Sequence, residues 1–218
     1  MDGPSGVGKS VVGRLLAQHL GYTFVDTGAM YRAVTWLVLD RGIDPDDDEA
    51  VIHLAQGARI AITRPTEDDG RAYSVFMDGR DVTWAIRGPD VERSVSAVSK
   101  IPEVREALVA QQRLMAGAGG VVMLGRDIGT VVLPHADLKI YLTASPEERA
   151  RRRFLELRAR GEEVDMEALH NEMVRRDKID SEREHAPLRP ADDAHIVDTE
   201  NHSIEEVVAE IERLLPAG

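Results

Sequence analysis

Cysteine is absent from the 218 residues, which excludes disulfides, thiol nucleophiles and Cys-ligated metals and fits a cytoplasmic chain. Positive charge is scarce: 27 Lys and Arg face 39 Asp and Glu, leaving a net charge of −12. A field of that sign repels phosphate, so neither nonspecific nucleic-acid binding nor adhesion to a membrane surface is expected. Any phosphate ligand must be held by local arginines. No apolar run approaches the roughly 20 residues that span a bilayer, and the first residues do not read as a signal peptide. Internal repeats and low-complexity segments are also missing. What is present describes an ordinary globular chain, 43% apolar and 30% charged, long enough for one domain, or one domain with insertions, around a substantial core.

The beginning of the chain organises the rest. Met1-Asp2-Gly3-Pro4-Ser5-Gly6-Val7-Gly8-Lys9-Ser10 fits G-x-x-x-x-G-K-[ST], with Gly3, Gly8, Lys9 and Ser10 at the fixed positions. Glycines let the backbone curl until several N–H groups point at one anion, and the helix that follows turns its positive end to the same spot. Lys9 then reaches the outer phosphates, and the Ser10 hydroxyl can ligate Mg²⁺. Val12, Leu15, Leu16, His19 and Leu20 recur at helical spacing, and Gly21 is placed to close that helix. One part is lacking. A phosphate loop normally follows a buried strand, and only Met1 and Asp2 precede Gly3. The expectation is a natural chain that starts upstream, with Met1 an internal methionine of that strand.

Further along, residues 22–25 read as a short buried strand. Asp26-Thr27-Gly28 turns into a helix over 29–39, with Thr27 suited to cap it. Tyr31 and Arg32 fall on its first turns, either as packing and surface charge or near an anion. Residues 44–49 are an acidic connector. Alternating runs at 59–63 and 73–77, then the hairpin signal Asp78-Gly79, describe a small antiparallel sheet over about 44–84, placed to cover a site. Helices start near Pro89 and Pro102 and carry the polar residues Ser96 and Arg105 among apolar neighbours. The apolar run 121–124 reads as a strand buried on both faces and ends in Gly125-Arg126-Asp127. In open α/β sheets ligands bind beyond the carboxyl ends of strands, so Arg126 and Asp127 stand at the ligand edge unless they form a purely stabilising pair. After a strand at 138–142, Ser145 and Glu148 form the pattern of a capping box with Pro146 in the first turn. The helix that follows, to about 160, is rich in arginine (Arg149, Arg151, Arg152, Arg153), ordinarily the mark of a solvated face. Another begins near Asp165. Arg176, Asp180 and Arg183 have spacings of four and three, which predict one helix face. They make either a salt-bridge ladder or a clamp for a polar ligand. A strand at 194–197 and an amphipathic helix at 204–215 close the chain.

Strands near 22, 121, 138 and 194, each followed by a helix, predict an α/β fold: a parallel sheet flanked by helices, with the small antiparallel insertion and a helical lid. The order of motifs resembles the nucleoside monophosphate kinases, and more narrowly the bacterial cytidylate kinases. The resemblance rests on Asp2-Gly3-Pro4-Ser5-Gly6, Asp26-Thr27-Gly28-Ala29-Met30-Tyr31-Arg32, Gly125-Arg126-Asp127-Ile128-Gly129-Thr130, and Arg175-Arg176-Asp177 through Ala186-Pro187-Leu188. It covers nearly the whole chain.

That resemblance implies a single kinase domain with a core at 1–43, 85–145 and 190–218, a monophosphate-binding insertion at 44–84 and a lid at 146–189. It implies ATP held by Gly3, Pro4, Ser5, Gly6, Val7, Gly8, Lys9, Ser10 and Val11, with Mg²⁺ at Ser10. Around CMP or dCMP it implies Thr27, Tyr31, Arg32 and Arg126 at the phosphate. Ser96, Arg105 and Asp127 would read cytosine, with Arg176, Asp180 and Arg183 near ribose and phosphate. Lys9, Arg126, Asp127 and the lid residues Arg152 and Arg153 are the implied catalytic set. A carboxylate can accept from the exocyclic amine of cytosine, and guanidinium forks suit phosphate. Leu124 departs from the pattern, because the family often has an acid before Gly125. The family expectation is a monomer. A kinase for UMP or another monophosphate, and a nucleotide-gated switch, stay open at this point, although neither N-K-x-D nor D-x-x-G occurs to support a GTP switch.

Overall fold

The computed structural model describes residues 1–117, 119–159 and 161–216. Its elements in chain order are α1 Lys9–Leu20, β1 Thr23–Asp26, α2 Thr27–Asp40, α3 Asp48–Gly57, β2 Ile60–Thr63, β3 Ser74–Met77, β4 Arg80–Asp81, α4 Pro89–Lys100, α5 Pro102–Ala116, β5 Val121–Leu124, β6 Ile140–Thr143, α6 Pro146–Ala159, α7 Met166–Glu182, β7 His195–Asp198 and α8 Ile204–Arg213. The chain divides into two compact units, Met1–Phe24 with Gly120–Gly218, and Val25–Gly119. Arg160, where the arginine-rich helix was expected to end, lies outside the described residues.

The first unit carries the α/β architecture. β5 is hydrogen-bonded to β1, and β6 pairs with β7 in parallel, Ile140 opposite His195 and Thr143 opposite Asp198. The two residues before Gly3 do the work of the strand that the sequence lacks. Asp2 N–H donates to the Ile140 carbonyl at 2.8 Å, and Leu142 N–H to the Asp2 carbonyl at 2.8 Å. On the other side Gly125 N–H donates to Met1 O at 3.1 Å, and the Met1 amine to Met123 O at 2.9 Å. A two-residue stub therefore bridges β5 and β6 and delivers Gly3 to their carboxyl ends. Only glycine fits there: φ is 142°, and a Cβ would stand 2.2 Å from the Leu142 carbonyl oxygen.

Val12 and Leu16 of α1, Leu124, Leu142 of β6, and Val207 and Ile211 of α8 pack into one core beneath this sheet. Each such side chain contributes roughly 1.5–3 kcal/mol by leaving water. Leu124 is 1% exposed, and its methyls fill the notch left by Gly13 of α1, where a Cβ would meet Leu124 Cδ2 at 2.6 Å. Position 124 is thus a packing position, where a carboxylate would face apolar walls.

In the second unit α2 packs with α3, α4 and α5, and Met30, Val34 and Val38 of α2, Val98 of α4 and Leu108 of α5 are all buried. The antiparallel sheet runs β2-β3-β4, with Ile60 opposite Met77 and Met77 opposite Arg80. Asp78 and Gly79 turn this hairpin at φ 49° and 82°, the paired positive values that a two-residue loop demands. Pro89 and Pro102 each open a helix, as the sequence predicts.

Three local expectations are corrected. Thr27 does not cap α2: it is the first helical residue, and Asp26 takes the cap position without a side-chain capping hydrogen bond. The box at Ser145 and Glu148 is only half made. Glu148 N–H donates to Ser145 Oγ at 3.3 Å, but Glu200 takes the Ser145 N–H, and the Glu148 carboxylate goes to arginines. The reciprocal box forms instead at Ser203 and Glu206 of α8. Finally, Arg183 does not share a helix face with Arg176 and Asp180, because α7 stops at Glu182 and the backbone at Arg183 is extended. Among the described residues no helix is long and apolar enough to cross a membrane.

Candidate active site

The segment 3–8, which the sequence reads as a phosphate loop, is built on left-handed glycines. Gly3, Gly6 and Gly8 all have positive φ, at 142°, 82° and 91°. Val7 anchors the loop in the core, and the first turn of α1 holds no acidic side chain to compete with an anion at its positive end. Lys9 folds back over the loop, its ammonium donating to the carbonyls of Gly3 at 2.7 Å and Pro4 at 2.6 Å.

The turn after β5 brings a second cation to the same place. Arg126 donates from one terminal nitrogen to the Gly3 carbonyl at 3.1 Å and from Nε to Asp180 of α7 at 2.9 Å. Lys9 and Arg126 therefore converge on one carbonyl oxygen. The next residue, Asp127, is 4% exposed. Beyond it the chain makes a wide helical turn: the N–H groups of Val132 and Leu133 donate five residues back, to Asp127 and Ile128, at 3.2 and 2.7 Å. Such turns recur at functional sites. Asp2 holds this one, its two carboxylate oxygens accepting from Ile128 N–H and Gly129 N–H at 2.8 Å each. In the sequence Asp2 stands in the motif that carries the family resemblance and where a strand residue is expected, with no role of its own. An acid directly before a loop glycine, where a strand should be apolar, was the signal that could have found it.

The arginine-rich helix divides its work unevenly. Arg149, 2% exposed, donates to the carbonyls of Ala144 at 3.2 Å and Ser5 at 3.1 Å and forks onto Asp177 of α7 at 2.5 and 3.2 Å. It thus ties the phosphate loop, α6 and α7 together, a role that the sequence reading did not single out because Asp177 lies 28 residues away. Arg152, by contrast, is engaged by Glu148 at 2.8 Å and by the Thr199 hydroxyl and carbonyl at 3.0 and 2.6 Å. Arg153 pairs with Glu156 at 3.0 Å. Hydrogen bonds from Arg151 and then Arg152 hold the Glu148 carboxyl down at about 2. Past the end of α7, Arg183 donates from Nε to the Ala186 carbonyl at 2.5 Å and lies 4.0 Å from Asp180. Arg176, one turn before Asp180, is half-buried on α7. Tyr141 of β6 keeps its proton firmly, burial and then the Asp177 charge raising its pKa.

In the second unit Thr27 and Tyr31 are buried on the first turns of α2. The guanidinium of Arg105, itself 6% exposed, lies 5.3 Å from the Tyr31 ring centroid and donates to the Ser99 carbonyl at 3.2 Å. Ser96 is half-buried one turn before Ser99. Arg32 reaches Asp26 at 3.6 Å.

A family model described as cytidylate kinase matches residues 1–216. The chain belongs to the cytidylate kinase family. It is 51% identical over 218 residues to a cytidylate kinase of Pelotomaculum thermopropionicum, covering all of this chain and 95% of that relative. It is 50% identical over 211 residues to a cytidylate kinase of Geobacillus sp., 97% of this chain and 92% of the relative. A third, from Caldicellulosiruptor bescii, is 51% identical over the same length and coverage. Family membership thus extends over both units, from the phosphate loop to α8. In this cytidylate kinase-family chain the first unit brings Lys9, Arg126 and Asp180 into one connected set, with Arg183 at its edge. It directs Arg152 and Arg153 to partners on their own helix and beyond β7.

Proposed function

We infer that this chain is a phosphotransferase that moves the γ-phosphoryl group of ATP to the 5′-phosphate of CMP or dCMP, giving ADP and the diphosphate. The observation that carries the reading is the meeting of Lys9 and Arg126 over the positive end of α1, within a chain of the cytidylate kinase family. In-line attack forms a bond from an acceptor phosphate oxygen to the γ-phosphorus as the bridging bond to ADP breaks. A phosphate monoester loses its second proton near pH 6, so the acceptor oxygen is already anionic at pH 7 and needs no general base. Positioning and charge neutralisation then supply the rate.

For ATP we propose the backbone of Gly3, Pro4, Ser5, Gly6, Val7, Gly8 and Val11, with Lys9 at the outer phosphates. For the monophosphate we propose Thr27, Tyr31, Arg32, Ser96 and Arg105, with Arg126, Asp127, Arg176, Asp180 and Arg183. Residues 146–189 would act as a lid and 44–84 as the cover of the monophosphate. Arg152 and Arg153 could act only by leaving the partners described above. The Ser10 hydroxyl fits Mg²⁺, which keeps several waters and is held mainly by substrate phosphates. The donor set agrees with that, since among the described residues no group of three acidic or histidine side chains could hold a metal on its own. When bound, Mg²⁺ would neutralise the β- and γ-oxygens. We propose a cytoplasmic monomer.

An ADP-release assay across CMP, dCMP, UMP, AMP and GMP tests this. CMP-dependent turnover is expected. UMP preference would point to another monophosphate kinase, and no turnover to a binding protein. Within that assay, Asp127→Ala is expected to raise KM for CMP by about 10–100-fold, the loss when a buried polar partner of a base is removed. KM for ATP should change less than about threefold. Equal losses for both nucleotides would remove the base-reading role.

A further inference from the structure

We propose that Asp26 and Tyr73 are positioning residues for Arg32, and that they set how firmly the monophosphate is gripped. The proposal rests on the reading of Arg32 as a phosphate ligand. All three residues lie in the second unit. Asp26 stands at the cap of α2 but makes no side-chain capping hydrogen bond. Its Oδ2 faces two donors instead, the Tyr73 hydroxyl at 2.9 Å and an Arg32 terminal nitrogen at 3.6 Å. Tyr73 is 5% exposed, and the Arg87 guanidinium lies 5.7 Å from its ring centroid, which restrains the ring. Gly28 makes room for the arrangement. A Cβ there would stand 3.1 Å from Asp26 Oδ1 and 3.6 Å from an Arg32 terminal nitrogen.

The consequence lies in what Arg32 keeps available. A carboxylate free to close on a guanidinium would take two parallel hydrogen bonds and occupy the fork that a phosphate needs. Here the phenol draws on the same oxygen, so Asp26 stays at ion-pair range and steadies the side chain without capturing it. Arg32 Nε is buried with no hydrogen-bond partner among the described residues. A buried donor of that kind calls for an acceptor, and a phosphate oxygen supplies one.

Tyr73→Phe removes one oxygen and little else. Steady-state kinetics should give a KM for CMP raised about tenfold, of the order expected when a hydrogen bond to a charged group is lost. KM for ATP and kcat should stay within about twofold, and Tm should hold. An unchanged KM for CMP, or a fall in Tm with all kinetic constants moving together, would overturn the proposal. Arg32→Ala and the double variant separate the two layers. If Arg32→Ala leaves KM for CMP unchanged, the phosphate role of Arg32 fails and the proposal with it. If Arg32→Ala raises that KM and Tyr73→Phe does not, only the positioning role fails. The proposal stands if the Tyr73 effect disappears once Arg32 is alanine, and falls if the effect persists undiminished there.

Discussion

Lys9→Ala should lower kcat on the order of 10³–10⁵-fold, the loss seen when a cation that meets the transferring phosphoryl group is removed. The ammonium lies within 2.7 Å of two loop carbonyls, which holds it over the loop proposed to carry the phosphates. Arg126 shares the Gly3 carbonyl with it but is also paired to Asp180, which leaves its fork partly engaged and unable to take over both charges. Single-turnover measurement of the transferred phosphoryl group is the check, because it isolates chemistry from product release. A rate within tenfold of the parent would contradict the assigned role.

Arg149→Ala should be the most destabilising of the arginine substitutions. The side chain is almost wholly enclosed, and its removal leaves Asp177 without its cation and the Ser5 and Ala144 carbonyls without a donor. Breaking a buried pair in this way costs about 3–5 kcal/mol. Asp177 keeps a quarter of its surface in water, which recovers part of the loss, so about 3 kcal/mol is the expected figure. In a chain of this size that corresponds to a Tm lower by roughly 6–12 °C. Asp177→Asn should cost less, because Arg149 retains both carbonyls. Thermal unfolding of the two single variants and the double variant measures the pairwise part. A drop in Tm below about 2 °C for Arg149→Ala would show that the three-way tie carries little of the stability.

The sequence was informative wherever a rule is local. Glycine spacing announced the phosphate loop, two prolines marked helix starts, and Asp78-Gly79 fixed a hairpin, because each depends on a few adjacent residues and their backbone preferences. Assignment failed where the deciding partner was distant. Ser145 and Glu148 satisfy the capping-box pattern, yet Glu200, 55 residues on, takes the donor that the pattern assigns to Glu148. The local sequence offers Asp26 no partner, but a tyrosine 47 residues later donates to its carboxylate. The run of arginines on α6 gave no means of telling Arg149, turned inward to Ser5 and Asp177, from Arg152 and Arg153. The spacing of Arg176, Asp180 and Arg183 misled because it assumed a helix that runs one residue too far.

The Asp2 carboxylate fastens the stub ahead of Gly3 to the loop that carries Arg126, so the lysine side and the arginine side are welded at their base. A slip of this stub along β6 would drag both cations together and preserve their spacing. Losing the carboxylate would let them drift apart, and catalysis would suffer before the fold did.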